Sequence, residues 1–69
     1  MKLSARNQLR ATVTGVTFGE AIANIELDAG GVRLVASITA EAARELGLQM
    51  GSQVTAIVKA SDVLIGINE

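Results

Sequence analysis

The sequence predicts an all-β fold, a small barrel of five strands with one short helix before the fourth strand. Two observations lead to this prediction. Apolar and polar residues alternate with a period of two through most of the 69 residues, which is typical of half-buried strands. One run of helix-forming residues interrupts the alternation, after the third predicted strand. Five short strands with a single helix are the elements of a partly open barrel of the OB type, and residues 1–69 are expected to form one domain.

The first three predicted strands are joined by tight turns. They are expected at residues 8–18, 21–27 and 32–38. Gly15 lies late in the first strand, where a missing side chain often marks a bulge. Gly19 and Glu20 are expected to form the first turn. Gly30 and Gly31 are expected in the second, because glycine tolerates the positive φ that tight hairpins require.

The second half of the chain contains the helix and the last two strands. Thr39 is a favourable N-cap and Gly47 a favourable residue just past the helix, so a helix of about two turns is expected at residues 40–46. Leu48 and Met50 are then expected to pack back on the core. The last two strands are expected at residues 54–59 and 63–67. The final strand is apolar on both faces, and such a strand is covered on both sides.

The composition indicates an oligomer. Hydrophobic residues make up 49% of the chain, but only 1% of residues are aromatic. Chains near this size bury only roughly 60% of their unfolded surface and are marginally stable alone. The sequence has no Cys and no His, which removes disulfides and the common soft metal ligands. Oligomerisation is the remaining way to stabilise so small a scaffold, and the excess aliphatic surface is expected to lie in subunit interfaces.

Composition also disfavours several functions. Six Lys and Arg against seven Asp and Glu give a net charge of −1, unlike the basic face of a duplex-binding protein, and one aromatic ring is too few for stacking single strands. No segment approaches the ~20 apolar residues of a membrane span, and the start lacks a signal-peptide pattern, so a cytoplasmic protein is expected. Without Cys or His the common nucleophilic triads are absent, and no enzyme is expected.

Hydrogen-bond donors are concentrated near the two ends of the chain. Ser4, Arg6 and Asn7 lie at the mouth of the first strand, and Lys59 and Ser61 flank a small residue at the end of the fourth. Arg offers a planar fork of five donors and Lys three, and charge-assisted hydrogen bonds are about twice as strong as neutral ones. The simplest interpretation is surface charges at strand ends. The functional interpretation is one site for a tetrahedral dianion, with amides at the helix start as additional donors.

Two segments carry a resemblance to a known family. Residues 4–9, Ser-Ala-Arg-Asn-Gln-Leu, resemble the opening motif of the molbindins, the small Mop-type molybdate-binding proteins. Residues 59–63, Lys-Ala-Ser-Asp-Val, are similar to their closing motif, and residues 43–48 also fit the family. The similarity extends over essentially the whole chain, and residues 4–9 are its most specific part.

The resemblance implies both a function and an assembly. It implies an OB-like domain that forms a homohexamer, a trimer of dimers, and binds molybdate or tungstate at subunit interfaces for intracellular storage or buffering. The opening motif of one subunit and the Lys-containing motif of a neighbour would complete each site. The metal would be bound only as its oxyanion. Carried over to this sequence, the oxyanion-binding residues are Ser4, Ala5 through its amide, Arg6, Asn7, Lys59, Ala60 and Ser61. Relatives often have Ser near the helix start, where this chain has Ala42 and Ala43, so a hydroxyl contact from there is lost.

The leading hypothesis is therefore a non-enzymatic binding protein for molybdate or tungstate, with further copies of itself as its partner. A second hypothesis is a regulatory or interaction module of the same fold, as occurs fused to transporter ATPases and transcription regulators. A third, an OB-type nucleic-acid-binding domain, is disfavoured by charge and ring count. The choice between molybdate and tungstate stays open at this point.

Overall fold

The computed structural model describes residues 3–69 and contains one antiparallel sheet with a short helix. The elements are strands β1 (Asn7–Phe18), β2 (Ile22–Ala29) and β3 (Val32–Thr39), helix α1 (Ala40–Glu45) and strand β4 (Gln53–Val58). A 3₁₀ turn, Ala60–Asp62, follows β4. The strand order is β3-β2-β1-β4, so β1 and β2 are central and β3 and β4 are the edges. The all-β class and the helix before the fourth strand are confirmed.

The turns and the bulge form where the glycines predicted them. The register of β1 against β2 shifts between Val13 and Gly15. A Cβ built at Gly15 would lie 2.8 Å from a carboxylate oxygen of Glu26, so the missing side chain allows the two strands to approach. In the hairpin between β2 and β3, Gly30 and Gly31 have φ of 61° and 92°. Both values lie in the region that residues with a Cβ rarely adopt.

Helix α1 is capped at both ends as expected. The Thr39 hydroxyl accepts a hydrogen bond from the Ala42 amide at 3.1 Å, and Gly47 has φ of 63°. The helix rests on the sheet through the buried residue Ala43. Leu48 packs against the core as predicted. The prediction for Met50 is wrong, because its side chain is 73% exposed.

The core of the single chain is thin. Among residues 3–69, five of the eight buried hydrophobic residues are alanine, and Val13 is the largest side chain with less than 2% exposure. The accessible surface is 5558 Å², about 1,500 Å² above the roughly 4,100 Å² expected for a compact monomer of 7.1 kDa. The radius of gyration is 13.0 Å, against roughly 11 Å for a compact domain of this length. The chain thus exposes far more surface than its mass requires.

The predicted fifth strand is not formed in the single chain. Residues 63–67 follow the 3₁₀ turn without strand pairing, and Leu64, Ile65 and Ile67 are 85–90% exposed. The backbone at Val63 is extended, with φ −90° and ψ 122°. The alternation of residues correctly indicated an extended apolar segment. A strand also needs a neighbouring edge to pair with, and this segment pairs with neither edge of its own sheet.

Candidate functional site

The pairing of β1 with β4 brings the two donor-rich segments together. The strands are antiparallel, and Asn7 lies opposite Val58 at the end of their paired region. Residues 4–6 precede Asn7 and residues 59–61 follow Val58, so both segments leave the sheet at the same end of neighbouring strands. Within one chain, the fold therefore makes neighbours of segments that are more than 50 residues apart in sequence.

The Asn7 side chain connects the start of β1 to the end of β4, at the junction of the two donor-rich segments. Its side-chain Nδ2 donates a hydrogen bond to the Val58 carbonyl at 3.1 Å, in a partly buried position. One of its two side-chain N–H groups is therefore committed to joining the strand ends, and the second remains available. The participation of the Val58 main chain was not found from the sequence, because a carbonyl partner leaves no signature in residue type.

The 3₁₀ turn orients the backbone of the closing segment. The Asp62 amide donates to the Lys59 carbonyl at 2.9 Å, and the Val63 amide donates to the Ala60 carbonyl at 3.3 Å. These bonds occupy carbonyls of the turn. Within residues 3–69, the amides of Ala60 and Ser61 donate to no other protein group, as is usual for the first N–H groups of a helical turn.

The polar groups at the junction are accessible and unpaired with acids. Ser4, Arg6, Lys59 and Ser61 are exposed, and Ala5 is partly buried. In the described part of the chain, the ion pair formed is between Arg33 and Glu26, which lie diagonally across β3 and β2. Among residues 3–69, neither Arg6 nor Lys59 forms an ion pair with a carboxylate. A bound anion would meet two cations there, with the Asp62 carboxylate in the same turn as the nearest acid in sequence.

The start of helix α1 contributes less than the sequence indicated. The Ala40 amide donates to the Ala21 carbonyl at 2.8 Å, and the Ala42 amide donates to Thr39 Oγ1. Both amides are thus satisfied within the chain. Of the amides at the helix start that the sequence offered as additional donors, these two are not free for an anion.

Two other kinds of site are not supported by the described residues. Residues 3–69 contain no cluster of three or more Asp and Glu that could hold a metal ion, and none of their helices is long and apolar enough to cross a membrane. A cleft of about 500 Å³ opens between β3 and β4. Its lining is aliphatic apart from Ser37 and Thr55, which is unsuitable for a multiply charged anion because an unpaired buried charge is costly.

Known proteins are similar to this chain in both sequence and fold. The chain matches the TOBE domain over residues 3–65. It is 41% identical over 66 residues to molybdenum-pterin-binding protein 2 of Clostridium pasteurianum, covering 94% of this chain and 97% of that protein. It superposes on a molybdate-binding protein from Sporomusa ovata with a TM-score of 0.93 at 42% identity, covering 97% of this chain and 100% of that chain. For the cytoplasmic molybdate-binding protein ModG with molybdate bound, the TM-score is 0.85 at 43% identity, over 87% of this chain and 43% of that chain.

Proposed function

This chain belongs to the TOBE domain family, among its small Mop-type members, and we propose that it binds molybdate or tungstate as a cytoplasmic homohexamer that stores and buffers the ion. The observation that carries this proposal is the meeting of the opening and closing motifs where β1 pairs with β4. The family relatives supply the ligand class, since a solved relative of 43% identity has molybdate bound.

The donor set suits a fully ionised tetrahedral oxyanion. Such an ion presents acceptors in every direction. The Arg6 guanidinium and the Lys59 ammonium neutralise its charge, while the hydroxyls of Ser4 and Ser61 and the amides of Ala5, Ala60 and Ser61 complete the shell. Charged groups make the strongest of these hydrogen bonds. Asn7 joins the two segments through Val58 and keeps them at a fixed separation.

The exposure of these groups in one chain supports a site that is completed by a neighbour. In water, each donor is already hydrogen-bonded, so an exchange for oxyanion contacts yields only a modest net gain. A second subunit over the junction would exclude water and strengthen every charged contact. The surface in excess of a compact monomer, about 1,500 Å², is enough for two contacts of roughly 800 Å² per partner. A trimer of dimers provides each chain with more than one such contact.

Selectivity in such a site depends on size. Sulfate carries the same charge and has the same shape as molybdate, so a shell of donors alone does not reject it. Molybdate and tungstate are nearly equal in size and larger than sulfate. Both are expected to bind, and sulfate is expected to compete weakly.

Equilibrium dialysis with molybdate, tungstate and sulfate, followed by elemental analysis, tests the proposal. The wild-type chain is compared with Arg6→Ala and with Arg10→Ala, a matched control with the same change at an exposed position of β1. Tight binding of both heavier oxyanions, lost in Arg6→Ala and kept in Arg10→Ala, is the expected result. Light scattering should give about six times 7.1 kDa. Equal loss in both variants, or a monomer at micromolar concentration, would refute the assigned site or assembly.

A further inference from the structure

The side chain of Gln8 connects the opening motif back to β1. Its Nε2 donates a hydrogen bond to the Ala5 carbonyl, three residues earlier in the chain, at 3.4 Å. This distance is long for an amide donor, and the bond lies in an exposed position. The bond joins the second residue of β1 to the segment that contains Ser4, Ala5 and Arg6. Gln8 is not among the donors of the proposed site, so this contact has a different role.

Gln8 and Asn7 hold different parts of the junction between the two donor-rich segments. Successive side chains of a strand point to opposite faces of the sheet, so these adjacent carboxamides leave β1 on different sides. The Asn7 carboxamide donates across to the Val58 carbonyl and joins β1 to β4. The Gln8 carboxamide donates back along its own chain to Ala5. Asn7 therefore sets the separation of the two segments, and Gln8 sets the path of the opening one.

The bond from Gln8 also sets the direction of the peptide between Ala5 and Arg6. Residues 3–69 contain no cis peptide bond, and in a planar trans peptide the C=O and the N–H point in opposite directions. Because the Ala5 carbonyl is held toward Gln8, the Arg6 N–H is turned away from Gln8. Within residues 3–69, that N–H donates to no backbone carbonyl. The Arg6 amide is thus oriented and unoccupied, next to the guanidinium of the same residue.

We propose that Gln8 is a positioning residue of the oxyanion site, which holds residues 4–6 in the binding arrangement before the ion arrives and does not contact the ion. This inference rests on the proposed function and adds a residue to it. The apparent affinity of a site falls with the fraction of molecules that already have the binding arrangement. Removal of one neutral hydrogen bond is expected to lower that fraction about two- to tenfold, and the length of this bond favours the lower end.

A matched pair of variants tests this role. Gln8→Met keeps a long unbranched side chain and removes the donor. Gln53→Met makes the same change at the other end of the β1–β4 pairing, where the Gln53 carboxamide donates to Thr12 Oγ1 at 3.1 Å. Both side chains are exposed, so urea unfolding should give similar stabilities for the two variants. Calorimetry should show molybdate affinity about two- to tenfold lower for Gln8→Met and unchanged for Gln53→Met.

NMR of isotopically labelled protein separates positioning from direct contact with the ion. In the ligand-free protein, relaxation of the Ala5 and Arg6 backbone amides should show greater mobility in Gln8→Met than in Gln53→Met. When molybdate is added to the wild-type chain, the Arg6 amide signal should shift strongly, while the Gln8 side-chain amide signals should move little because their donor is bonded to Ala5. A large shift of the Gln8 side-chain signals would mean that Gln8 contacts the ion, and it would overturn the positioning role.

The outcomes distinguish this inference from the proposed function. A wild-type chain that binds neither molybdate nor tungstate would refute the proposed function, and the role of Gln8 would fall with it. A wild-type chain that binds molybdate, with equal affinities in Gln8→Met and Gln53→Met, would overturn the role of Gln8 alone. Unchanged mobility of Ala5 and Arg6 in ligand-free Gln8→Met would also overturn that role, whatever the affinity of the variant.

Discussion

Replacement of Arg6 and Lys59 by alanine, singly and together, tests whether both residues act on one ion. Both side chains are exposed, and surface substitutions of this kind usually change the free energy of unfolding by less than about 0.5 kcal/mol. The expected effect is therefore on binding. A hydrogen bond to a charged group contributes about 1.5–3 kcal/mol, which corresponds to a roughly ten- to hundred-fold loss of molybdate affinity for each single variant.

The double variant shows whether Arg6 and Lys59 act on the same ion. Because β1 pairs with β4 and Asn7 lies opposite Val58, the two residues leave the sheet at the same place and are expected to share an ion. Residues with a common partner are not additive, so the double variant should lose less affinity than the sum of the single losses. Titration calorimetry with molybdate measures all four proteins, and Arg10→Ala is the control for loss of charge. Strictly additive losses would mean that the residues act on different ions.

Mixing of the two single variants tests whether the residues come from different chains. Hexamers reassembled from Arg6→Ala and Lys59→Ala chains should contain some intact sites and some doubly defective ones if each site is shared between subunits. Part of the binding should then return at wild-type affinity. If mass spectrometry demonstrates subunit exchange and no binding returns, both residues belong to a site within one chain, and the shared site is refuted. Their adjacency in the sheet is compatible with that outcome.

Three further substitutions test other parts of the structure. Asp62→Asn removes the acid from the closing motif and should raise molybdate affinity about two- to fivefold at low salt and less at high salt. Asp28→Asn, in the hairpin between β2 and β3, is the control and should leave the affinity unchanged; calorimetry measures both affinities. Thr39→Ala removes the bond to the Ala42 amide and should lower the free energy of unfolding by about 0.5–2 kcal/mol. Val13→Ala empties the centre of the core and should cost about 1–3 kcal/mol. Urea unfolding at fixed protein concentration measures the free energy of unfolding of both variants. A Val13→Ala chain as stable as the parent would contradict a core centred on Val13.

Features that depend on a few adjacent residues were predictable from the sequence. The bulge at Gly15 and the hairpin at Gly30 and Gly31 follow from residues that tolerate close approach or positive φ. The helix follows from the Thr39 hydroxyl at its start and Gly47 just past its end. For the hairpin and the helix, the energetic reason lies within a few positions of the residue that signals it. The bulge at Gly15 also involves Glu26 on the neighbouring strand.

Features that depend on pairing were not predictable in the same way. The apolar character of residues 63–67 was evident, but strand formation also needs pairing with a strand edge, and in the single chain these residues pair with none. Met50 was expected inside for its hydrophobicity alone, and the single chain leaves it in solvent. Both errors concern surface that one chain is too small to cover.

The candidate site also has a part that was predictable from the sequence and a part that depends on pairing. The residue types of Ser4, Arg6 and Lys59 indicated an oxyanion, and family resemblance named the ion class. Their adjacency depends on the register that sets Asn7 against Val58, and no property of either segment alone specifies it. The hydrogen bonds that the Ala40 and Ala42 amides form within the chain likewise became evident only from the packed helix.

The proposed site links oxyanion binding to assembly. Residues 59–61 hold an oxyanion there that a neighbouring subunit also contacts. Coupling between two equilibria is reciprocal. If subunit association raises the affinity for an ion that contacts both subunits, the ion raises the association constant of the subunits by the same factor. With one ion site at a hundred times its dissociation constant, the gain is about 2.7 kcal/mol. Dilution of the protein with and without molybdate, followed by native mass spectrometry, should therefore show dissociation at about hundredfold lower concentration when the ion is present. An unchanged dissociation concentration at saturating molybdate would mean that the ion lies within one subunit.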